Sequence, residues 1–110
     1  IRRLRLIVDA FAAEGITSVH ENCMNYGGMS WKHTMELVEA VPGMKLVFDT
    51  CNPVFNRDHS RDNKPWQNAW EFYQNVKEHI SYIHVKDGLN PSPENGNTEV
   101  YTYPGEDRDV

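Results

Sequence analysis

Cysteine is scarce in this chain: Cys23 and Cys51 are the only two in 110 residues, and no CxxC spacing joins them. That excludes a disulfide scaffold and leads to the expectation of two reduced thiols in a cytoplasmic protein. No apolar run approaches the ~18–20 residues of a membrane span, and the first residues lack the apolar stretch of a signal peptide. Basic residues are in the minority, 11 against 16 acidic, for a net charge of −5. That balance weighs against nucleic acid as a partner, since phosphate binding relies on Lys and Arg. No Asn-x-Ser/Thr acceptor has a permitted middle residue, and there is no linker or low-complexity segment. The chain opens on Ile1 and its last stretch has no apolar closing element, so it reads as a piece of something longer.

What is present suits a single globular core, with 39% hydrophobic and 25% charged residues. Leu4, Ile7, Val8, Phe11 and Ala12 form the i, i+3, i+4, i+7, i+8 stripe of an amphipathic helix over 1–14, closed by Gly15. Arg2, Arg3 and Arg5 stand at the wrong end for the helix dipole and read as a solvated face. A short β run, Ile16–His20, leads to a polar loop. Ser30 then resembles an N-cap for a helix carrying Trp31, Met35, Val38 and Val41, which Pro42-Gly43 stops. Met44–Phe48 is a second strand, followed by a polar loop over roughly 50–65. A helix around Trp66, Ala69, Trp70, Tyr73 and Val76 precedes a third strand, Ile80–Val85. The remainder reads as loop, with a short β piece at Val100–Tyr103. Strands alternating with helices imply parallel pairing through crossovers, an α/β fold.

Chemistry collects where these strands end, at Glu21, Asp49 and His84. Their separations of 28 and 35 residues bracket the ~31 residues per βα unit of a (β/α)₈ barrel, whose active sites form at the carboxyl ends of the strands. Strand parity places Glu21 with Val19, Asp49 with Val47 and His84 with Tyr82, each pair on one face. Two carboxylates and an imidazole converging on one mouth form a hard O/N donor set, suited to Mn²⁺, Mg²⁺, Co²⁺ or Zn²⁺. His20 points the other way and is no ligand. His33, His59 and His79 show no ligand spacing. Trp31, Trp66 and Trp70 read as packing residues on helical stripes.

Four stretches carry a resemblance. His20-Glu21-Asn22-Cys23 with Tyr26-Gly27-Gly28, Val47-Phe48-Asp49-Thr50 with Asn52-Pro53, Ile83-His84-Val85-Lys86-Asp87, and Tyr103-Pro104-Gly105-Glu106, in this order and spacing, are similar to the sugar phosphate isomerase/epimerase family. The resemblance implies a xylose isomerase-like TIM barrel. Residues 1–110 would form one incomplete domain, about three βα units from its later half. It also implies a divalent metal held by Glu21, Asp49, His84 and a further Glu beyond Val110. Glu21 would be one member of a catalytic acid/base pair.

The activity so implied is isomerisation or epimerisation of a sugar, by proton transfer through a metal-stabilised enediolate. The fragment alone would be inactive. A small-molecule sugar is then the expected partner, with no nucleic acid or membrane, and the full-length protein could assemble as a homo-oligomer. Asn52 and Lys86 are candidates for holding substrate oxygens. Asp87 is expected to fix a loop, and Glu106 to shape one. Two other readings compete: a non-catalytic sugar-binding barrel, and an AP endonuclease-like nuclease, against which the acidic charge and the Asn at position 52 both count.

Overall fold

The computed structural model of the chain describes residues 1–106. Its first helix, α1 (Arg2–Ala13), turns Val8 inward with Leu4 partly buried beside it, while Leu6, Ile7 and Phe11 stay exposed. Gly15 ends it at φ +73°, a conformation that costs glycine little. The Gly15 amide donates to the Ala12 carbonyl and the Ile16 amide to that of Phe11, the double return of a Schellman motif. That closure explains a shift in the first strand. The Ile16 amide is already committed to the helix, so β1 spans Val19–Glu21 instead of starting at Ile16.

β1, β2 (Lys45–Asp49) and β3 (Ile80–His84) form a parallel sheet in that order. α2 (Trp31–Ala40) and α4 (Ala69–Val76) are the helices between successive strands. Ser30 caps α2 as expected, its hydroxyl accepting the His33 amide at 3.2 Å. α4 begins later than the apolar stripe suggested, at a cap formed by Asn68, whose side chain accepts the Glu71 amide at 2.8 Å. The strands are staggered. Glu21 lies beside Val47, Asp49 lies beside His84, and an irregularity interrupts the β2–β3 pairing between Leu46 and Val47. Stagger of this kind accompanies strand tilt in barrels.

Alternation along β2 sends Leu46 and Phe48 to the helix side, where they meet Phe72 and Val76 of α4 in one apolar cluster. Val8, Leu37, Val41 and Met44 form another beneath α1 and α2. The opposite face of the sheet carries Val47 and Asp49, both buried, flanked by exposed Val19 and Tyr82.

Two elements stand where loop was expected. α3 (Asn52–Phe55) is a single turn, all of it buried, that follows β2 directly. β4 (Asp87–Leu89) pairs antiparallel with β5 (Val100–Thr102). This ribbon leans on α3, with the Phe55 and Tyr101 rings edge to face at 5.0 Å. Gly88 allows the approach, since a Cβ there would come within 2.9 Å of the Val100 carbonyl, the Phe55 ring and the Cys51 sulfur.

Two of the tryptophans depart from expectation. Trp66 lies outside α4, bridged to Arg57 with the guanidinium 3.6 Å above its indole. Trp70 is exposed, stacked on Tyr73 at 5.5 Å beside an apolar groove of about 340 Å³ on the helix side of β3. Neither fills the core; Trp31 does pack against the Phe48–Phe72 cluster. Among the described residues no helix is long and apolar enough to cross a membrane.

Candidate metal centre

The three strand-end residues do meet. Glu21 Oε1 lies 2.9 Å from His84 Nδ1, and Asp49 Oδ2 lies 3.9 Å from the same nitrogen. One donor atom from each residue falls within 4.8 Å of the others. Metal–ligand bonds of about 2.1 Å set at right angles would hold two donors about 3.0 Å apart. The observed spacings bracket that value, so these residues can hold one divalent ion with modest adjustment. Asp49 is fully buried, whereas the Glu21 and His84 side chains are 34% and 45% exposed, which leaves an open side for a small molecule.

Asp49 is the anchor, and its surroundings show how a buried carboxylate is tolerated. Oδ1 accepts the backbone amides of Cys51 at 3.0 Å and Asn52 at 2.9 Å, which turns the chain into α3. Its own backbone is gripped by Asn22. The Asn22 Oδ1 accepts the Asp49 amide at 2.7 Å, while the Asn22 Nδ2 donates to the Asp49 carbonyl at 3.0 Å. Oδ2 is left facing Glu21 and His84. It is buried, and its nearest partner is the Lys86 ammonium, 2.9 Å away. A buried carboxylate oxygen that already attracts an ammonium, beside a second carboxylate and an imidazole, is what a cation site offers.

Lys86 is placed just beyond β3 by Thr50. The Thr50 hydroxyl donates to the Lys86 carbonyl at 2.5 Å and accepts the Lys86 amide at 2.9 Å. The ammonium also donates to Asn52 Oδ1 at 3.2 Å and lies 5.5 Å from the Tyr101 ring centre. Burial alone would lower the Lys86 pKa, but the hydrogen bond and charge of Asp49 outweigh it and hold the amine above its usual range. Asn52 is buried with its carbonyl oxygen turned to this ammonium, so the two candidate substrate contacts touch each other.

The neighbouring groups do other work. Burial pushes the Cys51 thiol up to about 12, with the Asp49 charge adding to it, so Cys51 is no nucleophile at neutral pH. Cys23 is likewise a free thiol. His20 faces the other side of β1, its ring set against Gly27 where a Cβ would clash with Nε2. Burial lowers its pKa. Asp87 fixes a loop as expected, accepting the amides of Gly88 at 2.9 Å and Gly105 at 2.7 Å. Glu106 accepts the Tyr103 amide within its own turn. His33 pairs with the Ser30 hydroxyl at 2.6 Å, remote from the centre.

Asn22, Thr50 and Tyr101 carry roles that reading the sequence did not assign. For the first two a signal existed. Each is a hydrogen-bonding residue directly following a strand-end ligand, at the point where a parallel ladder runs out of backbone partners.

Known proteins place this arrangement in context. A family model described as the xylose isomerase-like TIM barrel matches residues 1–110, the whole chain. The crystal structure of a xylose isomerase domain protein from Planctomyces limnophilus superimposes with a TM-score of 0.73 at 22% identity. The match covers 96% of this chain and 35% of that one, so the chain spans about a third of that protein's length. At that identity the likeness concerns the fold alone. No protein of curated function matches the sequence significantly. A full-length family match, together with a three-stranded parallel βα sheet of the same shape, shows that the chain belongs to the xylose isomerase-like TIM barrel family and forms part of such a barrel.

Proposed function

We propose that this chain carries the metal-binding part of a sugar isomerase or epimerase. The observation that supports this best is Asp49 Oδ2, buried and turned toward Glu21 and His84 on the open side of the sheet. Glu21, Asp49 and His84 would hold a divalent ion such as Mn²⁺, Mg²⁺, Co²⁺ or Zn²⁺. Bound there, such an ion would supply Lewis acidity to a sugar carbonyl and so make the adjacent C–H more acidic. Glu21, the more exposed of the two carboxylates, would take that proton and return it. Asn52 and Lys86 offer a carboxamide and an ammonium at the same mouth, suited to sugar oxygens. Among the described residues there is one ligand cluster, which supports a one-metal isomerase over a multi-metal nuclease.

The test follows solvent deuterium into the carbon next to the carbonyl, by NMR, with the full-length protein that contains this chain, Mn²⁺ and a panel of ketoses and aldoses. The expected result is exchange in the wild type and a loss of about 100-fold or more in Glu21→Gln. Interconversion without deuterium uptake would point to a hydride shift and remove Glu21 from the proton path. Saturable sugar binding with no exchange for any substrate would mark a binding protein.

A further inference from the structure

Asp49 has one oxygen to offer a metal, and a cation already stands on it. Oδ1 is committed to the amides of Cys51 and Asn52, which leaves Oδ2. The Lys86 ammonium lies 2.9 Å from Oδ2, in contact with a carboxylate that no water reaches. Without that ammonium the Asp49 charge would be buried with only amides and a partly exposed imidazole to balance it.

A divalent ion bonded to the same oxygen at about 2.1 Å would fall within about 5 Å of the ammonium as it now stands. Two cations at that range repel, to an extent that the partial exposure of the Lys86 side chain moderates. The lysine arm has another place to go. It already touches Asn52 Oδ1 at 3.2 Å, and the Tyr101 ring lies 5.5 Å away, two partners that accept a cation without being metal ligands. Its root does not move with it, because Thr50 grips the Lys86 backbone at both amide and carbonyl. The exchange is therefore a swing of the aliphatic arm alone.

We infer that Lys86 is a resident stand-in for the metal: its ammonium neutralises Asp49 in the metal-free protein and is displaced toward Asn52 and Tyr101 when a divalent ion enters. This rests on Glu21, Asp49 and His84 being the metal ligands. It has two consequences of opposite sign. Lys86 keeps the empty site folded, and it weakens the binding of the ion that replaces it.

The experiment compares wild type, Lys86→Met and Lys86→Arg in the full chain after chelation. Mn²⁺ affinity is read by calorimetry, and thermal midpoints are taken with EDTA and with saturating Mn²⁺. The Lys86 side chain is 37% exposed, so solvent screening keeps the expected effect moderate. Lys86→Met should bind Mn²⁺ about tenfold more tightly, equivalent to about 1.4 kcal/mol. Its midpoint should fall below wild type in EDTA and return to it in Mn²⁺. Lys86→Arg keeps the charge and should stay within about threefold of wild type in affinity.

Equal or weaker Mn²⁺ binding by Lys86→Met overturns the inference. So does a loss of thermal stability that Mn²⁺ does not repair, the mark of a plain structural ion pair. Should Lys86→Met be unfolded without metal, refolding at Mn²⁺ concentrations that leave wild type unsaturated supports the inference, and failure to refold at saturation overturns it. If wild type itself takes up no Mn²⁺, Co²⁺ or Zn²⁺, the ligand assignment and this inference fall together. If wild type binds the ion and Lys86→Met binds it no better, this inference alone falls.

Discussion

Replacing Asn22 by Ala should cost far more than an uncharged, non-ligand side chain suggests. β1 pairs with β2 only as far as Glu21 beside Val47, and Asn22 then extends the connection with its carboxamide. Its Oδ1 takes the Asp49 amide at 2.7 Å and its Nδ2 serves the Asp49 carbonyl at 3.0 Å. Asn22 is 4% exposed and Asp49 is fully buried, so water replaces neither bond without a local rearrangement. Each buried backbone group left unpaired costs about 1–3 kcal/mol, and some relaxation is expected, so Asn22→Ala should destabilise by about 2–4 kcal/mol. Asn22→Asp should do no better, since it keeps the acceptor but turns a carboxylate oxygen toward the Asp49 carbonyl. The assay is urea unfolding of the full chain followed by circular dichroism, with an unchanged m-value. Mn²⁺ affinity should also fall, because the backbone that aims Asp49 loses its grip. A stability change below about 0.5 kcal/mol, the range of a neutral surface substitution, would show that the Asn22–Asp49 bonds hold nothing together.

Gly28→Ala should be severe for a steric reason, because a Cβ there would stand 1.6 Å from the Cys23 carbonyl oxygen. A loss of about 3 kcal/mol or more is expected, read as a fall in the thermal midpoint. Asp49→Asn should keep the fold, since an amide oxygen can still accept the Cys51 and Asn52 amides, yet lower Mn²⁺ affinity by about 100-fold through loss of the buried negative charge. Metal content after dialysis checks it; full retention would remove Asp49 from the ligand set. Burial pushes the Cys51 thiol up to about 12, from 9.0 for a free one. Between those values the unfolded chain sheds this proton and the folded chain keeps it. The contribution is therefore complete below pH 9 and declines as pH rises toward 12. Cys51→Ala should flatten that part of the stability–pH profile, and native Cys51 should resist iodoacetamide at pH 8.

The sites where chemistry gathers were readable because they obey local rules. The apolar stripe and Gly15 mark α1 and its end, Ser30 marks the start of α2, and period-two alternation places Glu21, Asp49 and His84 on one face. What escaped depends on partners distant in sequence. α3 is one turn long and owes its form to the Asp49 carboxylate taking two amides. The β piece expected at Val100–Tyr103 is present as β5, but its partner β4 escaped, being three residues that fit against Cys51 and Phe55 only through Gly88. Trp66 matched a helical stripe, but the real helix starts at the Asn68 cap, and Arg57 claims the indole. The roles of Asn22 and Thr50 follow from strand register, which periodicity alone does not set.

The two side chains that carry on where the ladders stop have a mechanical consequence. Asn22 sutures the end of β1 to β2, and Thr50 sutures the end of β2 to the segment leaving β3, one residue beyond Glu21 and Asp49 respectively. The three strand ends are thereby joined into one body just where neighbouring backbones would otherwise part. Displacements of Glu21, Asp49 and His84 should then be correlated, with the amplitude of a sheet and not of a loop. The loops that begin beyond these stitches can change length or composition and reshape the mouth for a different molecule while the donor atoms keep their spacing.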